Sequence, residues 1–70
     1  MKTGDTRYIH VKQVKRNGSI VGNLCMLGRQ YGYIIQLHYY AVPGYAINEV
    51  FESENKAENF FNKILAEVEK

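Results

Sequence analysis

One stretch of this chain is spaced for a helix. Ala57, Phe60, Phe61, Ile64, Leu65 and Val68 recur at i, i+3, i+4, i+7, i+8 and i+11, a single apolar stripe between charged positions. Such a stripe has to be buried against another element. The residues before it carry no helical period, so the partner must be a sheet. Ser53 is a good N-cap, with Glu54 and Glu58 well placed near a helix N-terminus. Asn55 with Glu58 forms a competing cap and capping box, and the helix is expected over about residues 54–69.

Upstream, turn signals divide the chain into strands. Arg7 to Arg16 carries Tyr8, Ile9, Val11 and Val14, residues that favour a pleated surface. Asn17-Gly18 follows, a dipeptide suited to the positive φ angles of a tight hairpin turn. Ser19 to Leu27 is the second strand, the segment Gly28 to Gly32 turns the chain, and Tyr33 to Val42 is the third strand. Pro43-Gly44 stops it, and Tyr45 to Glu52 reads as a fourth. The expectation is an α+β domain, a four-stranded antiparallel meander with one C-terminal amphipathic helix on one face (ββββα). Residues 1–6 are polar and expected to fray.

A two-residue turn at Asn17-Gly18 would pair Lys15 with Ile20, Val11 with Leu24 and Ile9 with Met26 on one face. Tyr33, Ile35, Leu37, Tyr39 and Ala41 would join them as the face the helix covers. The other face would carry Tyr8, His10, Lys12 and Val14, then Val21, Asn23, Cys25 and Leu27, then Ile34, Gln36, His38 and Tyr40. A Val42–Tyr45 pair across Pro43-Gly44 would add Ile47 and Phe51. A slip of one residue in this last pairing would send both into the core instead. One helix cannot cover two faces, so an open, partly apolar sheet face is expected, and such patches mark contact sites.

Size and charge narrow the function. A 70-residue chain builds a marginal core. Cys25 is the sole cysteine, so there is no internal disulfide and a reducing, cytoplasmic setting is expected. Self-association remains as the way to supplement the core. No apolar run reaches the roughly 20 residues of a membrane span, and no membrane partner is expected. The net charge of +2 is unevenly placed. Residues 1–46 hold six cations against one acid, net +5, and residues 47–70 hold three cations against six acids, net −3.

No catalytic, metal or cofactor pattern is met. Cys25 lies between Leu24 and Met26 as a small packed hydrophobe, with nothing to lower its pKa. His10 and His38, with one Cys, fall short of a zinc set. Gly28 and Gly32 lack the spacing of a phosphate loop. What remains is a basic, tyrosine-bearing surface: Lys12, Lys15, Arg16 and Arg29 beside Tyr8, Tyr31 and Tyr40, with His10, Ile34 and His38 between. A protein partner on the open face, a second copy included, suits these residues. Single-stranded nucleic acid on the first hairpin and sheet is the alternative.

The ββββα order resembles that of the coactivator-type single-strand DNA-binding proteins, small domains that dimerise through their helices. The likeness is one of element order and carries no residue with it. In its shortness and lack of motifs the chain also resembles small phage and mobile-element proteins, which implies an inhibitor or adaptor of a larger protein.

Overall fold

The computed structural model describes residues 6–69, so the expected frayed start lies outside the described residues except for Thr6. Four strands, β1 (Arg7–Arg16), β2 (Ser19–Arg29), β3 (Gly32–Tyr39) and β4 (Ile47–Phe51), precede one helix, α1 (Glu54–Val68). The sheet runs β1-β2-β3-β4 with every neighbour antiparallel. This is the ββββα meander that the stripe and turn signals imply.

The first hairpin turns where expected, with Asn17 at φ 53° and Gly18 at φ 82°. These left-handed angles suit the right-handed twist of the strands. Lys15 pairs with Ile20, also as expected, but the ladder then breaks: Val14 pairs with Gly22, leaving Val21 as an extra residue on β2. A second break leaves Ile9 extra on β1, between the pairs Tyr8–Leu27 and His10–Met26. These β-bulges offset each other. Between them Val11 faces Cys25 and Lys12 faces Leu24, one residue away from the register that the turn alone dictates.

The bulges decide which β1 residues meet the helix. Without them Lys15 would point into the core side and Val14 out to water. With them Val14 is fully buried, while Val11 is 55% exposed on the opposite face. Burying an aliphatic side chain in place of an ammonium group is the favourable outcome. Gly22 makes the Val21 bulge feasible, since a Cβ there would run into the carbonyl oxygen of His38.

The far end of the sheet also departs from expectation. β3 ends at Tyr39, and residues 40–46 form a wide connection rather than a two-residue turn. The Tyr40 N–H donates to the Val21 carbonyl, at the bulge, and the ladder resumes where Ala46 N–H donates to Leu37 O at 2.8 Å. Pro43 has no N–H to offer a ladder. The longer connection pairs Ile47 with Leu37 and Phe51 with Tyr33, so Ile47 and Phe51 join the core and leave the open face.

Ser53 is the N-cap of α1, its Oγ accepting the Lys56 N–H at 3.4 Å, so the Asn55 alternative is not used. Ala57, Phe61 and Val68 are buried with Val14, Leu24, Met26, Ile35 and Leu37. Phe60 and Phe61 splay to the two sides of the helix, Phe60 onto Phe51 with centroids 5.1 Å apart and Phe61 onto the His10 ring at 5.2 Å. Ile9, Val21, Tyr33 and Tyr39 pack around this core, whereas Val11, Ile20 and Ala41, expected within it, are exposed.

Candidate functional site

The face away from α1 has no covering element among the described residues. Strand alternation and the observed register place Tyr8, Val11, Gln13 and Lys15 on it from β1, and Ile20, Asn23, Cys25, Leu27 and Arg29 from β2. Ile34, Gln36 and His38 come from β3, with Asn48 and Val50 from β4. Tyr8 is 69% exposed and Val50 67%. Leu27, flanked by Tyr8 and Ile34 across the ladder, is buried even here. The middle of the face is uncharged: Gln36 Nε2 donates to Asn48 Oδ1 at 3.3 Å, and Asn23 stands opposite His38.

Two aromatic features border the face. His38 sits at the centre of one, with Tyr40 at 6.2 Å and Tyr45 at 5.9 Å, both edge-on. At the opposite end, Arg29, Gln30, Tyr31 and Gly32 wall a hollow of about 340 Å³ floored by Ile34 and Val50. Its apolar floor and polar wall suit a bulky side chain.

The expected site residues divide between the two faces. Tyr8, Lys15, Arg29, Ile34 and His38 lie on the open face, with Tyr40 beside His38. His10, Lys12 and Arg16 lie on the helix side, a correction that follows from the bulges. His10 Nε2 is 3.5 Å from a Glu58 carboxylate oxygen and its ring packs on Phe61. The Arg16 guanidinium lies 5.8 Å from the Tyr39 ring centroid, within cation–π range. Val14 and Val21, expected on the open face, are in or against the core. The two histidines therefore stand on opposite faces and share no site. Val11 and Val50 are open-face residues that sequence reasoning missed. The bulges and the long β3–β4 connection that place them leave no signal in a two-residue periodicity.

Cys25 faces the open side between Val11 and Gln36, and burial pushes its thiol pKa up. A thiol held in its neutral form is a poor nucleophile. Among the described residues no group of three or more His, Cys, Asp or Glu comes together. No described helix is long and apolar enough to cross a membrane.

No protein-family model matches the chain, and neither a curated protein nor a solved structure is significantly similar to it.

Proposed function

We propose that this chain is a non-enzymatic binding module that works through its open sheet face, and that the first occupant of that face is a second copy of itself. The observation that carries this is the character of the face. It is apolar at Tyr8, Val11, Leu27, Ile34 and Val50, uncharged through its centre, and bears its cations only at its margins, at Lys15 and Arg29. A surface without strong charge of one sign can meet its own copy without repulsion. The molecule measures 42 × 25 × 16 Å, so its broad face is on the order of 1,000 Å², against roughly 800 Å² per partner in a standard stable interface. Burying the face would add apolar contact to a very small core.

Nucleic acid is the competing occupant. Its case needs a track of cations beside tyrosines, and the open face offers little of one: Lys12 and Arg16 lie on the helix side, and Lys15 and Arg29, the latter beside Tyr31, stand at the two ends of a face whose centre carries no Lys or Arg. The protein reading is therefore preferred.

Light scattering under a thiol reductant, which prevents a Cys25 cross-link, should give about twice the 8.1 kDa of one chain. Val50→Glu should return the mass to one chain without altering the far-UV spectrum. A single-chain mass at roughly 100 µM, where even a contact of about −5.5 kcal/mol would be half formed, overturns the self-association reading. Retention on single-stranded oligonucleotide at low salt that survives Val50→Glu would transfer the function to nucleic acid.

A further inference from the structure

β1 has a second surface that neither the core nor the open face uses. It is an edge strand, bonded to β2 on one side only, and at ten residues it is twice the length of the other edge, the five-residue β4. Its outer side presents backbone N–H and C=O groups over roughly 33 Å, taking about 3.3 Å per residue. The strand is also the most basic segment of the chain. Arg7, Lys12, Lys15 and Arg16 fall within it and no acid does, a local charge of +4 in a protein whose net charge is +2. Among the described residues no carboxylate lies within 4.0 Å of these four cations; the ion pair at this strand is that of His10 with Glu58. Alongside the edge runs a depression of about 560 Å³ lined by Val11, Lys12, Gln13, Lys15 and the helix-end Glu69.

From this we infer that the outer edge of β1 accepts an extended, acidic peptide segment of another protein by strand addition. Backbone hydrogen bonds would supply affinity, and side chains facing Lys12 and Arg16 would supply selection for carboxylates. An antiparallel visitor shares faces with its neighbour residue by residue. Acids belong opposite Lys12 and Arg16 on the helix side, and an apolar residue belongs opposite Val11, which is exposed on the other. A second copy is excluded as the occupant by charge. Two β1 strands paired about a two-fold axis would set four cations against four, and like charges across a ladder destabilise it. The inference does not rest on the open-face reading: the backbone edge of β1 is a separate surface, although Val11, Gln13 and Lys15 border both.

Edge lysines also serve to repel unwanted strands, and the test separates the two roles. The full chain is titrated into a labelled, end-capped peptide of about eight residues alternating Glu and Val, long enough to span most of the edge. Two control peptides accompany it, one with Lys for Glu and one with Pro for alternate Val. Binding of the acidic peptide should be at least about tenfold tighter than that of either control, and should weaken as salt rises. The Pro peptide keeps the charge but has lost N–H groups and strand geometry. Lys12→Glu with Arg16→Glu, both exposed, should abolish binding, whereas Val50→Glu on the open face should leave it unchanged. Equal binding of the Pro peptide would reduce the effect to bulk charge and overturn the proposal. So would failure of the acidic peptide to bind at low salt, or its loss in Val50→Glu. Displacement by single-stranded oligonucleotide but not by unlabelled acidic peptide would reassign the cations to phosphate recognition.

Discussion

Replacing Val14 by alanine removes two methyl groups from a side chain with no solvent exposure, packed with Leu24, Leu37 and Val68 in one cluster. Transfer alone accounts for about 1.6 kcal/mol at ~0.8 kcal/mol per methyl-sized group. The cavity left between sheet and helix raises the total to about 2–3 kcal/mol. In a domain this small each kcal/mol moves the melting temperature by roughly 4–8 °C, so Val14→Ala should lower it by at least about 8 °C. Val11→Ala is the matched control: the same chemistry three residues away, at a site 55% exposed. It should cost less than about 0.5 kcal/mol, as surface substitutions do. Thermal melts followed by circular dichroism decide between them. They should be run at two protein concentrations, because Val11 lies on the face proposed to self-associate and only a concentration-dependent loss belongs to that contact. The register without bulges makes the opposite prediction, with Val11 inside and Val14 outside. If Val11→Ala proves the more damaging at low concentration, the bulges and everything built on them are wrong.

Gly22→Ala should destabilise by about 2 kcal/mol or more and shift amide resonances along β2 and β3, because the added Cβ meets the His38 carbonyl and the bulge has to rearrange; a neutral melt would show that the bulge does not depend on a bare backbone. Cys25 should react slowly with a thiol reagent at neutral pH and accelerate only above the range of an exposed thiol, since burial raises its pKa. The sign for stability follows from the neutral form being favoured in the folded state. The contribution is fully present below the unfolded-state pKa and is lost as pH rises through the folded one, so alkaline pH should destabilise wild type more than Cys25→Ala. Unchanged reactivity relative to a free thiol would contradict the burial. The mass of the chain in solution and the alternating Glu–Val peptide titration test the open face and the β1 edge.

The elements themselves were legible along the chain. Ser53 and the Phe60, Phe61, Ile64, Leu65 stripe are local signals, and the helix begins and packs where they say. Asn17-Gly18 is a turn for reasons confined to two residues, the φ angles they tolerate. The open face was legible in outline, since one helix has one stripe and a sheet has two sides. Its membership was not. Tyr8 and Ile34 were placed correctly, while His10, Lys12, Val14, Val21, Ile47 and Phe51 were assigned to it and belong on the other side.

The reason is the period of a strand. Side chains alternate, so one extra residue in a ladder exchanges the faces of everything beyond it until a second extra residue restores them. Val21 and Ile9 are those residues. A bulge forms because of what lies across the sheet: burying Val14 under α1 and releasing Lys15 to water is worth more than an unbroken ladder. Residues 40–46 behave likewise, closing over whatever length brings Ile47 and Phe51 beneath Phe60 and its neighbours. Amino-acid sequence alone determined which segments are strands, where the chain turns and that one amphipathic helix closes it, because those depend on neighbours in the chain. Which side of the sheet each residue faces, and with it the removal of Lys12 and Arg16 from the face that carries Tyr8 and Lys15, was decided only when the helix and the sheet were packed together.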